Sequence, residues 1–414
     1  KNINKASDEK SRLYHQFKNY FSQLDTNHLS IQNADLFEQW KQAANELKPN
    51  DDEAANLQYL TVSKNVLKKV GNIIIKELGD SNFNITSLIQ YEPIGRVALE
   101  GKLTYLKTCN LLGLDTSMGH HEIIDELESY IEGKEKSFTA LEKAPDDIRA
   151  SIINDQAENI HDKYYGNNDI MGPNAKHGTH VAGLASNEND LIKIMGIRAV
   201  PDGDEYDKDV ALAILYAVNN GAKVINMSFG KSYSPHHYWV DSAIRYASNK
   251  DVLLVHSAGN ENYDLNTKNV YPNPYSSFYK DTASTFITVG ASSDPINKNS
   301  LITDFSNHGD KVVDLLSPGE KIYSTLPNNN YGFLNGTSMA SPIVTHIASL
   351  IRAYFPSLNA KEVKAILMQS VWTPDDQATK SILASTSKTA GIVNAYNAFV
   401  LANEINKKKN KKRK

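Results

Sequence analysis

Short apolar segments alternate with helical stretches in the C-terminal two thirds of the chain, and this alternation constrains the fold more than any other feature. Such a pattern is typical of α/β proteins in which helices cover both faces of a parallel sheet. Helices are predicted at 209–219 and at 235–248, the second with Ser234 as N-cap and proline in its first turn. We therefore expect a doubly wound parallel sheet, with functional groups near the carboxyl ends of its strands. The predicted strands are 194–200, 223–229, 252–258, 286–291 and 312–316.

A different pattern precedes residue 146. Residues 1–145 show helical periodicity and few strand signals, which predicts a helical insert region with helices at 36–47, from Asp51 to about residue 78, and after His120. The α/β domain is then expected at 146–402.

The last residues, 403–414, form a basic tail. Residues 407–414 contain six Lys and one Arg, so the rest of the chain carries −4 − 7 = −11. A basic tail can bind nucleic acid or anionic lipid. We interpret this one as a solvated, disordered end and expect no nucleic-acid partner.

Other residues limit the classes of protein that fit. Cys109 is the only cysteine, so it forms no intrachain disulfide, and we expect it to be buried. No run of eighteen apolar residues exists, which predicts no transmembrane segment. The adjacent His120 and His121 would point about 100° apart on a helix, so they cannot readily share a metal ion. No metal site is predicted.

Residues 335–342, Asn-Gly-Thr-Ser-Met-Ala-Ser-Pro, precede an apolar helical run. Ser338 would thus lie at a helix N-terminus, where free N–H groups and the helix dipole stabilise negative charge. That position suits an acyl-transfer nucleophile, whose own N–H can bind the oxyanion. The alternative from these residues alone is a helix cap.

Two further motifs carry chemistry. His177 opens His-Gly-Thr-His-Val-Ala-Gly, where its imidazole could act as a general base. Asn260 closes Ser-Ala-Gly-Asn after a predicted strand, where its amide could donate to an oxyanion.

The order of these three motifs resembles the subtilisin-like (subtilase) serine proteases of peptidase family S8, over residues 146–402. The resemblance implies a serine endopeptidase acting on polypeptides, with Ser338 as nucleophile, His177 as base and Asn260 as oxyanion donor. It also implies that His180 is structural and that substrate binds along residues 228–230. The implied substrate-binding residues are Ser228, Phe229, Gly230, Ala258 and Gly259. No cofactor is expected for the chemistry, a structural calcium ion is allowed, and the expected location is secreted, periplasmic or at the cell envelope.

No aspartate of this chain has the surrounding motif that is typical of the triad aspartate in the family. Asp115 is followed by Thr-Ser without the expected glycine, and Asp146, Asp147 and Asp155 also lack it. We predict that an upstream fragment carries the aspartate, that the helical region is an insertion as in subtilases of the Bacteroides group, and that this chain alone is nearly inactive. The family usually has a small residue where this chain has His346.

Two alternatives are considered. An impaired or inactive subtilase-like fragment would act as a protein- or peptide-binding module. An unrelated α/β hydrolase is excluded because the chain has no Gly-x-Ser-x-Gly elbow.

Overall fold

The computed structural model describes residues 9–24, 29–48, 51–114, 118–145, 148–172, 175–187, 189–200, 205–294 and 301–412. The chain divides into two compact units. The smaller unit comprises Lys10–Gln23 and Trp40–Pro145, and the larger unit comprises Lys1–Glu9, Leu24–Gln39 and Asp146–Lys414. The domain boundaries at residues 145 and 402 stay a prediction.

The smaller unit is helical. Helix α3 packs against α5 and α6, and their buried side chains form one core. The sequence predicts α2, α3 and α6 but not α5, whose exposed Leu99, Leu103 and Leu111 obscure its apolar face. In chain order the first six helices are α1 (Glu9–Ser22), α2 (Ile31–Glu46), α3 (Asp51–Leu78), α4 (Ile85–Gln90), α5 (Arg96–Leu112) and α6 (His120–Thr139), of which α1 and α2 include residues of both units.

Two buried side chains of this unit were considered in the sequence analysis. Cys109 is 2% exposed, as predicted, and burial raises the pKa of its thiol to about 12. His120 is also buried, with Nδ1 2.9 Å from the Tyr105 hydroxyl. Asp115 lies outside the described residues.

A four-stranded parallel sheet forms the centre of the larger unit, with strand order β1-β2-β5-β6. Pairing places Asn226 beside Val255 and Val289 beside Leu315. The fold prediction of a parallel α/β sheet is confirmed. The strands are β1 (Val224–Met227), β2 (Leu253–Ser257), β5 (Phe286–Ser292) and β6 (Leu315–Pro318), with antiparallel pairs formed by β3 (Tyr275–Ser276) and β4 (Asp281–Thr282), and by β7 (Ile322–Leu326) and β8 (Asn330–Leu334).

Helices cover both faces of this sheet. Along β2, Leu253 and Val255 pack into the core formed with α11, α12 and α14, whereas Leu254 packs into the core formed with α9 and α10. This alternation follows from the two-residue period of a strand. The helices of the larger unit are α7 (Ile148–Ile153), α8 (Lys176–Ser186), α9 (Asp207–Asn219), α10 (His237–Asn249), α11 (Thr337–Tyr354), α12 (Ala360–Gln369), α13 (Gln377–Thr386) and α14 (Ala395–Lys412).

Two strand predictions differ from the structure. Residues 194–200 form no strand, and Ile194 and Met195 are exposed, because this apolar segment has no neighbouring strand to pair with in the described structure. The predicted strand 312–316 starts only at Leu315, since Val312 and Val313 form a turn onto the carbonyl of Gly309.

The predicted start of one helix and the predicted disorder of the tail also need correction. Helix α10 begins at His237, and Ser234 does not cap it but donates its hydroxyl to Asp207 Oδ1 at 2.6 Å. The tail is helical to Lys412, because Lys409 binds the Glu362 carboxylate at 2.6 Å and extends the packing of α14. Among the described residues, no helix combines the length and the apolar character needed to cross a membrane.

Candidate active site

Ser338 is the second residue of α11. Gly336 precedes the helix, and its carbonyl accepts the N–H groups of Met339 and Ala340 at 3.0 and 3.4 Å. The N–H of Ser338 has no acceptor in the described structure, as expected in the first turn of a helix. The hydroxyl of Ser338 donates to the carbonyl of Ser228 over a long 3.3 Å.

Asn260 lies beside this helix start. Its Oδ1 accepts the N–H and the hydroxyl of Thr337, at 2.8 and 2.9 Å. Because a backbone N–H can only donate, these bonds determine which end of the amide is the oxygen. A Cβ at Gly336 would be 3.4 Å from Nδ2, and no described residue accepts a hydrogen bond from this NH2 group. Asn260 Nδ2 and the Ser338 N–H are therefore two available donors.

His177 is the second residue of α8, which packs against α11. Its imidazole is accessible to solvent, yet partial burial lowers its pKa below the ordinary value, and the nearby His180 lowers it further. The ring is thus neutral near pH 7, as a general base must be. No hydrogen bond joins it to Ser338, whose hydroxyl is bound to Ser228, so the catalytic pairing stays a prediction.

Two other histidines hold α8 in place. His180 is fully buried, and its Nε2 lies 3.0 Å from the Ile322 carbonyl and 3.2 Å from the Gly332 carbonyl. Since both partners are acceptors, Nε2 carries the proton, and the predicted structural role of His180 is confirmed. His346 on α11 reaches the Ala185 carbonyl of α8 through Nδ1 at 3.1 Å. The His346 side chain is larger than the residue usual in the family, and its hydrogen bond links α11 to α8.

The predicted substrate-binding segment, residues 228–230, follows the end of β1. Ser228 Oγ donates to the carbonyl of Ser338 at 2.9 Å, which ties the segment to α11. The Phe229 carbonyl accepts from Nε2 of His256 at 2.8 Å, and burial lowers the pKa of His256 to about 4. A Cβ at Gly230 would lie 3.3 Å from the Tyr271 carbonyl, so glycine permits this close approach.

The other two predicted substrate-binding residues are adjacent to Asn260. Ala258 has no exposed surface, and Gly259 is partly buried with a φ of 103°. The N–H of Gly259 donates to Thr337 Oγ1 at 3.1 Å. Hydrogen bonds thus join Ser228, Gly259 and Asn260 to the start of α11, whereas none joins His177 to Ser338. The role of the predicted residues in substrate binding stays a prediction.

No carboxylate in the described part of the chain is hydrogen-bonded to His177. The candidate Asp155 is instead buried beside Arg149, whose Nε donates to it at 2.6 Å, and beside Lys208. Asp146 and Asp147 lie outside the described residues. The upstream fragment as the source of the aspartate stays a prediction.

The chain was compared with models of known protein families. The profile of the subtilase family, peptidase S8, matches residues 41–398. This chain belongs to the subtilase family. Subtilases are serine proteases, so the sequence-based recognition and the assignment to this enzyme class are confirmed.

Individual relatives are named proteases. The chain is 27% identical over 350 residues to the cell wall-associated protease of Bacillus subtilis, covering 80% of this chain and 36% of that protein. Thermitase of Thermoactinomyces vulgaris is 34% identical over 233 residues, covering 54% of this chain and 74% of thermitase. The chain spans 51% of the thermophilic serine proteinase of Bacillus sp. (strain AK1). The Bacteroides-group insertion stays a prediction.

One solved structure is similar to part of this chain. The crystal structure of a cold adapted subtilisin-like serine proteinase is 27% identical, with a TM-score of 0.42, and the match covers 55% of this subtilase and 77% of that chain.

Sequence reasoning missed two residues next to the site. His256 belongs to an apolar strand, where a lone histidine carries no functional signal. Asn307 is fully buried and contacts the segment around Asn260, although the two asparagines are far apart in sequence. Only the fold brings Asn307 to this position.

Proposed function

We propose that this subtilase hydrolyses peptide bonds in polypeptides, with Ser338 as nucleophile and His177 as general base. The observation that supports the proposal is the pair of available donors, Asn260 Nδ2 and the Ser338 N–H, beside the serine at the start of α11. Donors held in place before the reaction stabilise an oxyanion without reorganisation.

The proposed reaction begins when Ser338 Oγ leaves the Ser228 carbonyl and attacks the carbonyl carbon of the substrate. His177 takes the hydroxyl proton, and the negative charge that forms on the carbonyl oxygen is bound by Asn260 and the Ser338 N–H. His177 then gives its proton to the amine that leaves. Water hydrolyses the acyl-enzyme in the same way and restores Ser338.

The substrate is proposed to bind as an extended strand along residues 228–230. Four hydrogen bonds hold this segment and the adjacent Lys231. One joins Ser228 to α11, one joins His256 to the Phe229 carbonyl, and two pair the main chains of Lys231 and Tyr271 at 2.8 and 3.0 Å. A segment that is already fixed loses little conformational entropy of its own when an extended peptide binds along it.

One observation favours a second candidate, a peptide-binding module with impaired catalysis. No described carboxylate orients His177, and removal of the triad aspartate from a subtilisin lowers turnover about 3 × 10⁴-fold. Such a protein would still bind peptides along residues 228–230.

A fluorophosphonate probe separates the two candidates, because it reacts with an activated serine. The proposal predicts slow but measurable labelling of this chain, in agreement with its predicted near-inactivity without the triad aspartate. That labelling should be abolished by Ser338→Ala and further reduced by His177→Ala. Ser349→Ala is the matched control, because Ser349 is on the same helix about three turns further on. Peptide binding by the unlabelled chain, with no labelling at any pH, would support the binding module instead.

The location of the protein and a structural calcium ion remain predictions from the family resemblance. Among the described residues, no cluster of three or more His, Cys, Asp or Glu side chains is arranged to hold a metal ion. Calcium can also bind main-chain carbonyls, so a chelator titration of thermal stability would test that prediction.

A further inference from the structure

Asn307 is completely buried behind the segment that carries Asn260, residues 258–263. Its Oδ1 accepts the N–H groups of Glu261 and Tyr263 at 3.1 and 2.7 Å. Its Nδ2 donates to the Ala258 carbonyl at 2.9 Å and to Glu261 Oε2 at 2.7 Å. One buried side chain therefore binds this segment at both ends.

These bonds use the whole hydrogen-bonding capacity of the amide. An asparagine side chain has two donor hydrogens and two acceptor lone pairs, and each of the four has a partner here. Because two of the partners are N–H groups, the orientation of the amide is determined. Buried groups that are fully satisfied in this way resist displacement, since any movement leaves a polar atom unpaired.

The main chain adds a further connection. The N–H of Asn307 donates to the Gly259 carbonyl at 3.0 Å. Gly259 has a φ of 103°, and a Cβ there would lie only 2.3 Å from Asn307 Nδ2. Glycine at this position is thus required both by its backbone conformation and by the close approach of Asn307.

Asn260 lies between the residues that Asn307 holds. Ala258 and Gly259 precede it and Glu261 and Tyr263 follow it, whereas no hydrogen bond joins its own side chain to Asn307. Asn307 therefore controls the direction of the main chain from which the Asn260 amide projects toward Thr337 and Ser338.

We propose that Asn307 is a positioning residue for the oxyanion site, acting on catalysis through Asn260. This inference rests on the proposed function. A residue that only stabilises the fold would lower the reaction rate equally whether or not Asn260 is present. A residue that acts through Asn260 would have little effect once the Asn260 amide has been removed.

A double-mutant cycle measures this difference. The rate constant for fluorophosphonate labelling of Ser338 is determined for the wild-type chain, Asn307→Ala, Asn260→Ala and the double variant. We expect Asn260→Ala to slow labelling by about 10²-fold, the lower end of the loss for an oxyanion donor. Asn307→Ala should slow it by more than about tenfold alone, and by less than about twofold in the Asn260→Ala background.

A second variant guards against loss of folding. Asn307→Asp keeps the shape and the acceptor for Glu261 and Tyr263, but places a carboxylate oxygen against the Ala258 carbonyl and Glu261. We expect slower labelling, partly restored when Glu261→Gln supplies an amide donor to the new carboxylate. The matched control is Asn266→Ala, which removes an asparagine bound to Lys311 N–H and Asp310 at 3.0 and 2.9 Å and should leave labelling unchanged.

Hydrogen exchange provides a readout that does not depend on catalysis. The amides of Glu261 and Tyr263 should exchange faster in Asn307→Ala, with or without Asn260. If the wild-type chain is not labelled at Ser338, the proposed function fails, and this inference fails with it. If labelling is normal but Asn307→Ala causes the same loss in both Asn260 backgrounds, this inference alone is overturned.

Discussion

Replacing His237 with glutamine should remove much of the pH dependence of stability of the larger unit between pH 6.5 and 9. His237 is 6% exposed and lies between two carboxylates, with Nε2 3.0 Å from Asp35 and Nδ1 3.1 Å from Asp241. The ring thus ties the segment 29–39 to α10 within the larger unit. The Tyr271 ring is 5.8 Å away, and Ser276 donates to Asp241 at 2.6 Å.

The structure sets the size of this effect. Burial by itself would lower the pKa of His237, but the hydrogen bonds and charges of Asp241 and Asp35 outweigh it and raise the pKa from 6.5 to about 9. At about 1.4 kcal/mol per pKa unit, the difference corresponds to an upper limit of about 3 kcal/mol. A raised folded-state pKa means that this stabilisation is fully present below pH 6.5 and is lost as the pH rises through about 9.

Urea denaturation followed by tryptophan fluorescence measures the free energy of unfolding at each pH. A Trp40→Phe background restricts the signal to Trp239 and Trp372, which belong to the larger unit, and Trp239 lies on α10. The quantity to compare is the difference in free energy of unfolding between the background and His237→Gln. It should shrink by about 3 kcal/mol from pH 6 to pH 9.5.

An exposed histidine of the same unit serves as the control. His161→Gln should leave the curve of stability against pH unchanged. If the difference caused by His237→Gln were the same at pH 6 and pH 9.5, the charged ring would not contribute, and the reasoning from its two carboxylate partners would be refuted.

Three further predictions follow from the contacts described above. Arg149→Met should lower the free energy of unfolding by about 3 kcal/mol, because it removes the guanidinium from the partly buried Asp209 and from the buried Asp155, which keeps Lys208, and Arg149→Lys should cost less; equal losses in urea melts would contradict this. Asn260→Asp should slow fluorophosphonate labelling at pH 7 at least as much as Asn260→Ala, because a carboxylate repels the oxyanion; a rate near that of the wild type would exclude Asn260 as donor. The acid limb of the labelling rate should have its midpoint below pH 6.5, since the pKa of His177 is lowered and its neutral form is the base; a midpoint above pH 7 would show that a carboxylate pairs with the ring.

Local sequence patterns were sufficient to predict much of the fold. The continuous apolar segments at 223–229, 252–258 and 286–291 became β1, β2 and β5, because buried parallel strands need apolar side chains on both faces. The helical periodicity of α3 and α6 was equally clear. The segment 194–200 has the same composition but forms no strand, since a strand also requires a partner to accept its main-chain hydrogen bonds.

Polar partners separated in sequence could not be predicted. Asp35 and His237 meet only because α2 and α10 come together in the larger unit. The basic tail is helical because Lys409 binds Glu362 and the Ser357 carbonyl, at 2.6 and 2.7 Å. Composition alone gives the charge of such residues but does not show which residue of opposite charge pairs with them.

The sequence by itself determined the class of protein and the positions of the serine, histidine and asparagine motifs, because each motif depends on a short local pattern of small and polar residues. Only the tertiary structure decided how the asparagine is held. Thr337 binds the side-chain oxygen of Asn260, and Asn307 binds the main chain before and after Asn260, at distances of 2.7–3.1 Å. Hydrogen bonds of that length require atoms from distant parts of the chain to be placed within tenths of an ångström, and the packing of α11 and the loops against the sheet provides that placement.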